Sequence, residues 1–258
     1  MGRMFQDVKA TWNPVVGCSH NCVYCWARRL AKTRLKNRPQ YVDFKPKLVK
    51  HMLRKIPNKS PIFVVDMGDL FCDAVKPEWV LKVLSAIEDH CYKIDRTKGV
   101  DAEKPTFYFL EKPTFYFLTK NPIRYYEFLP RLKVLNDTWD NIALGITIET
   151  DLDYSSLYHH HVSDAPSPVA RLYVAKHLRK LWTGKMFISI EPILRFTSAF
   201  PKKIAEAKPD WVYVGYDNYN NKLDEPRLED TEFLIWALEE VHGIKVIRKE
   251  IRRAWYEG

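Results

Sequence analysis

Seven short apolar runs, each followed by a longer amphipathic or loop stretch, set the strongest limit on how this chain can fold. They lie near Val8 to Trp12, Ile62 to Asp66, Thr114 to Leu118, Ile142 to Ile148, Met186 to Ile190, Trp211 to Val214 and Lys245 to Ile247. Short runs rich in β-branched and aromatic residues read as strands, and the stretches between them carry helical spacing. From Pro77 to His90, for instance, Trp79, Val80, Val83, Leu84 and Ile87 recur three and four residues apart, and from Asp230 to Val241 the residues Phe233, Leu234, Ala237 and Leu238 share a face. Strand and helix in repeated alternation give parallel pairing through crossovers. The expectation is an α/β fold, a partial (β/α) barrel of about six or seven mainly parallel strands, forming one domain over residues 1–258.

Such a fold carries its chemistry at the carboxyl ends of its strands. Asp66 to Asp69, Lys120, Glu149, Glu191 and Asp217 all close an expected strand. One irregularity interrupts the series: residues 103–110 and 111–118 are identical copies of EKPTFYFL. Only the second runs on into the TKNP turn, so it is assigned to the sheet, and the first to an added edge strand or a bulged loop. An eight-residue insertion keeps the in/out alternation of a strand, so no function is attached to it.

The composition narrows the partners. With 46% hydrophobic residues in 258, the chain can bury a substantial core. No apolar run approaches the roughly 18 to 20 residues of a membrane span, and the first residues lack the apolar stretch of a signal peptide. A soluble cytoplasmic protein without a membrane partner is the expectation. Lys plus Arg exceed Asp plus Glu by 41 to 32, a net charge of +9, which favours polyanions such as nucleic acid.

Five cysteines are present, and three of them fall within the eight residues from Cys18 to Cys25. An odd number so clustered does not read as an extracellular disulfide framework; it reads as a metal site. The loop GCSHNCVYCWARRLAK spaces Cys18, Cys22 and Cys25 as Cys-x-x-x-Cys-x-x-Cys, then enters a helical pattern with Ala27, Leu30, Ala31 and Leu35 on one face. Three thiolates suit a four-iron cluster whose remaining iron stays open to an exogenous molecule. A structural zinc site is the alternative, and it wants a fourth Cys or His, for which His20, Cys72 and Cys91 are the available residues.

Cys18, Cys22 and Cys25, with Tyr24 before the third cysteine, resemble the cluster motif of the radical SAM superfamily. The resemblance extends through TWNP, DMGDLF, FLTKNP, GITIET and FISIEPIL, from about Ala10 to Lys249, and is to a poorly characterised, phage-associated branch. The resemblance implies a 4Fe-4S cluster on the three cysteines and S-adenosyl-L-methionine on the open iron, cleaved reductively to a 5′-deoxyadenosyl radical that abstracts hydrogen from a substrate. It implies Tyr24 near the adenine, Gly68 and Asp69 at the ammonium group, Thr147 and Glu149 at the ribose, and a one-electron reductant such as flavodoxin or ferredoxin. The branch carries a Gly-Gly-Glu-Ser-like segment where this chain has Gly215, Tyr216, Asp217 and Asn218.

Each of these residues also has a plainer reading: Asp69 as a helix cap, Glu149 as half of a structural ion pair. Glu191, with Lys120 or Lys249 as partner, is a tuned carboxylate at the barrel mouth or another structural pair. Cys72 is a hydrogen-atom donor if it faces the cavity, or a small buried hydrophobe. The triplet His159, His160 and His161 lies in a segment, residues 150–169, read as a substrate loop or lid. A basic helix from Arg28 to Arg38 and the carboxyl-terminal RKEIRRAW, with Trp26 and Trp255 nearby, combine phosphate-binding charge with stacking surface. Substrates compatible with this reading are a nucleic acid or nucleotide, or else a peptide or small metabolite; the reading from a different class is a non-catalytic nucleic-acid-binding protein held together by zinc or an iron-sulfur cluster.

Overall fold

The computed structural model describes residues 5–98, 112–157 and 161–258. Nine strands are found among them: β1 (Ala10–Trp12), β2 (Val15–Val16), β3 (Lys47–Leu48), β4 (Ile62–Val64), β5 (Phe115–Thr119), β6 (Ile142–Thr147), β7 (Lys185–Ile190), β8 (Trp211–Val214) and β9 (Lys245–Arg248). The helices are α1 (Trp26–Lys32), α2 (Pro77–Lys98), α3 (Tyr125–Trp139), α4 (Pro168–Leu181), α5 (Phe200–Glu206) and α6 (Leu228–Trp236). All seven expected strands form, each end within two residues of its expected place. The small antiparallel pair of β2 with β3 was not anticipated, because two-residue strands leave no period to read.

The seven long-range strands pair in parallel in the order β1-β4-β5-β6-β7-β8-β9, which is chain order. Right-handed crossovers that always step in one direction place the helices on one face of a sheet. The alternation of side chains bears this out. Ile62, Val64, Phe117, Leu144, Ile188 and Val212 point one way and join Leu84, Leu132, Leu178, Ile204 and Leu234 of the helices in one large core.

The opposite face is divided along its length. Toward the amino ends of the strands, Phe63, Tyr116, Ala143, Phe187 and Tyr213 pack around Phe5, which is wholly buried. The Phe5 ring lies 4.0 Å from that of Tyr213 and 5.4 Å from that of Phe63, and Asp7 accepts a hydrogen bond from Tyr213 Oη at 2.8 Å. Seven residues before β1 ends, the chain thus plugs the bottom of this face. Gly145 makes the plug possible, since a Cβ there would lie 2.2 Å from the Phe187 ring. Toward the carboxyl ends the same face opens into a cavity.

The sheet is open, with β1 and β9 at its two edges. The second EKPTFYFL copy supplies β5, as expected; the first lies outside the described residues, as do His159 and His160. No helix among the described residues is long and apolar enough to cross a membrane.

Candidate active site

The cysteine loop is clamped to the sheet by two glycines. Gly17 has φ +85°, and a Cβ on it would lie 2.3 Å from the Lys45 carbonyl oxygen. Its N–H donates to Met67 O at 2.9 Å, and a Cβ on Gly68 would lie 2.5 Å from Gly17 O. The backbone on both sides approaches too closely for any side chain. Gly68, expected near a ligand ammonium group, therefore brings the turn after β4 against the loop as well as lining the cavity.

Within the loop, Cys25 is the N-cap of α1 and its Sγ accepts from Arg28 N at 3.4 Å; Cys18 Sγ accepts from His20 N at 3.4 Å. Cys22 Sγ is 3.1 Å from Ser163 Oγ. Val23 N donates to Val162 O and Asp164 N to His20 O, so the described part of the expected lid forms a wall of the cysteine loop. All three cysteines are free thiols, and all three line one cavity of about 740 Å³. Burial raises the pKa of the Cys25 thiol against the amide that donates to it.

Asp69 also lines this cavity and is held by four donors. Its oxygens accept from His20 Nε2 at 3.0 Å, Phe71 N at 2.9 Å, Thr119 Oγ1 at 2.8 Å and Lys120 N at 2.9 Å. A carboxylate offers about four lone-pair sites, and these donors engage them. Burial pushes the Asp69 carboxyl up, but the His20 hydrogen bond and charge outweigh it and hold it below the usual range. Burial likewise disfavours the His20 cation, and Asp69 reverses that and raises His20. Asp69 does not cap a helix; it ties the ends of β4 and β5 to the cysteine loop.

Thr147, Tyr24, Lys120 and Glu191 line the cavity as well. Glu149 does not stand on the wall. It is completely buried, and its Oε1 accepts from Tyr24 Oη and from Lys120 Nζ at 2.7 Å, two groups that do line it. Its Oε2 lies 2.8 Å from Arg171 Nη1 and 3.2 Å from Tyr154 Oη. Burial would raise this carboxyl, yet Arg171 and then Lys120 hold it down at about 2. Of the two residues expected at the ribose, Thr147 lines the cavity and Glu149 stands behind it, bonded to Tyr24 and Lys120.

Glu191 pairs with Lys249 and not with Lys120. Burial raises its pKa against the pull of Lys249. Cys72 is fully buried in the main core behind Cys18 rather than on the cavity wall. A hydrogen bond between the two thiols lowers Cys72 and raises Cys18. This position does not suit the hydrogen-atom donor considered from sequence.

The expected basic helix is shorter than its charge run. α1 ends at Lys32, where Thr33 Oγ1 turns back to Arg29 O at 2.8 Å, and Pro39 bars a helical continuation. Arg29, Lys32, Arg34, Lys36 and Arg38 are exposed all the same. Arg29 lies 4.8 Å over the Tyr219 ring at the cavity mouth. The carboxyl-terminal cations are engaged otherwise: Arg248, Lys249 and Arg252 form ion pairs with Glu239, Glu191 and Glu225. They stabilise the fold and offer less to a phosphate than their number suggests.

Arg171, Tyr154, Thr119 and Ser163 complete the site and were not singled out from sequence, while His20, considered there only as a fourth zinc donor, is engaged by Asp69. A signal existed for Arg171, which shares the i, i+3, i+4, i+7 stripe of α4 with Val174, Ala175 and Leu178. A charge on an apolar stripe needs a buried partner.

Among the described residues no three His, Cys, Asp or Glu side chains are assembled to hold a metal ion. A single zinc would need its donors to meet within about 2.3 Å of one point. The three thiols line one cavity and two of them take backbone N–H groups, a donor set of the kind an iron-sulfur cluster uses, with hydrogen bonds to its sulfurs.

The sequence profile of a family described as Protein of unknown function (DUF5131) matches residues 5–101, a stretch that contains β1, the cysteine loop, α1, β4 and α2. No curated protein matches the chain.

Proposed function

We propose that this chain is a radical SAM enzyme built on a partial (β/α) barrel and acting on a nucleic acid or nucleotide. The observation that carries this reading is the convergence of the Cys18, Cys22 and Cys25 thiols on one cavity at the carboxyl ends of parallel strands. When bound there, a 4Fe-4S cluster would supply the electron that splits S-adenosyl-L-methionine and so yields the 5′-deoxyadenosyl radical that abstracts hydrogen.

The chain's own residues do the rest. Cys18, Cys22 and Cys25 would hold the cluster, with the Arg28 and His20 amides aimed at two of the sulfurs. Asp69 lends negative charge to the wall nearest the loop and fixes Lys120, Thr119 and His20 around it. Tyr24 and Thr147 present surface for the adenosyl group, and Glu149 sets the positions of Tyr24 and Lys120. The deep end is sealed by Phe5 and its aromatic neighbours, which keeps water from that side. Exposed cations running on from the cysteine loop, Arg29, Lys32, Lys36 and Arg38, favour a polyanionic substrate and equally an acidic electron carrier.

The test is anaerobic incubation with dithionite and S-adenosyl-L-methionine. The expected result is a brown protein with about four irons that forms 5′-deoxyadenosine. Unchanged iron and sulfide in a Cys18, Cys22 and Cys25 triple Ala variant would overturn the assignment. Binding of RNA or DNA is expected to weaken steeply with salt, and Arg28, Arg29 and Lys32 replaced by Glu to abolish it; salt-independent binding sinks the nucleic acid half alone.

A further inference from the structure

Beyond the residues assigned to the cluster and the adenosyl group, the cavity carries polar groups to which the proposed chemistry gives no part. Ser189, Glu191, Asn218, Tyr219 and Lys249 line it, at the ends of β7, β8 and β9. Glu191 Oε2 is engaged by Lys249, but its Oε1 has among the described residues only Asn218 Nδ2 at 3.5 Å, longer than a good hydrogen bond. Gly215 opens the room in front of the pair, since a Cβ there would lie 3.0 Å from Lys249 Cβ and 3.7 Å from Glu191 Oε1. The wall therefore presents an acceptor that lacks a close donor, with an ammonium beside it.

The chemistry of that wall selects its ligand. A phosphate placed there would meet the Glu191 carboxylate, and an amine would meet Lys249. A neutral planar group with an N–H next to a carbonyl or ring nitrogen satisfies both at once. Outside the pair, Tyr219 lies at the mouth with Arg29 4.8 Å over its ring, and the exposed cations of α1 follow. Neutral hydrogen-bonding edge within and positive charge without match a nucleotide that enters base first. We infer that Glu191, Lys249 and Asn218 read the hydrogen-bonding edge of a nucleobase turned out of its strand into this cavity, its phosphates resting on Arg28 and Arg29. The inference deepens the proposed function and rests on it for the assignment of the cysteines, Tyr24 and Thr147 to the cluster and the adenosyl cofactor.

Titration of the anaerobically purified protein tests it, first with S-adenosylhomocysteine and then, with that compound saturating, with guanosine, adenosine, cytidine, uridine and short single-stranded oligonucleotides. At least one nucleoside is expected to bind at a single site, with Glu191→Gln weakening it about tenfold, as loss of a charge-assisted hydrogen bond does. Asn218→Ala, at an exposed loop position, is expected to weaken it less without touching the fold. Arg28→Glu with Arg29→Glu is expected to weaken oligonucleotides alone, since nucleosides carry no phosphate. Absence of nucleoside binding, equal affinity in both Glu191→Gln and Asn218→Ala, or saturable binding of small peptide amides in place of nucleosides overturns the inference. Failure of S-adenosylhomocysteine to bind, with the nucleoside result intact, counts against the cofactor reading and leaves the base pocket standing.

Discussion

Glu149 and Glu191 occupy nearly the same place on neighbouring strands, one just past β6 and the other just past β7, yet their environments drive them in opposite directions. Glu149 is enclosed by Arg171, Lys120, Tyr24 and Tyr154 and is held at about 2. Glu191 has one close cation, Lys249, and burial raises it. The count of cations and donors decides the sign, because desolvation acts on both in the same sense. A carboxylate sealed behind the wall with every lone pair engaged is built to position other groups. One on the wall keeps an acceptor facing the cavity.

The largest expected way to break this contrast is Arg171→Met, which leaves a fully buried carboxylate with Lys120 as its one remaining ion-pair partner among the described residues. Removing one partner of a buried pair costs about 3–5 kcal/mol, so chemical denaturation should show a loss of that order. Substitution at Glu149 comes next. Its depressed pKa means that its contribution to stability is present above the ordinary glutamate value of about 4.3 and is lost as the pH falls toward about 2. Glu149→Gln should therefore cost on the order of 3 kcal/mol at neutral pH and flatten the stability profile across that acid window. An unflattened profile would move the source of acid sensitivity elsewhere.

Tyr154→Phe sharpens the comparison at smaller cost. It removes a hydroxyl shared by Arg171 and Glu149, and about 1 kcal/mol is expected from thermal unfolding with the ion pairs intact. Glu191→Gln should be the mildest, within about 1 kcal/mol at neutral pH, since its single pair reaches solvent through the cavity. Its pH dependence has the opposite sign. A raised folded pKa gives stability that is greatest below the ordinary value and falls as the pH rises through the folded one, so the variant should gain on the parent as the pH climbs from about 4.3. The same trend in both Glu variants would mean that the two carboxylates do not differ as described.

The strands were legible because their signal is local: the run at 142–148 and that at 186–190 each carry enough β-branched and apolar residues to be read without a partner. The three cysteines were legible for the same reason, packed into eight residues on a loop that opens a helix. That Asp69, Lys120, Glu149 and Glu191 would sit near one cavity followed from strand ends alone, since parallel strands in series bring those ends together.

Which group each residue contacts there was settled by pairings between distant segments. Lys120 and Lys249 were equal candidates to pair with Glu191 in the sequence, and the register of the sheet assigned Lys249 to it and Lys120 to Glu149. Ser163 reaches Cys22 across 141 residues, His20 reaches Asp69 across 49, and Phe5 fills the floor among β4, β5, β7 and β8. Pairing energies of this kind depend on distance and burial, which no spacing in the chain encodes. The sequence by itself determined which elements form and which chemical groups stand at their ends; only the tertiary structure decided which charges neutralise one another and which are left facing the cavity, because that balance is struck between side chains whose separation in space bears no relation to their separation in sequence.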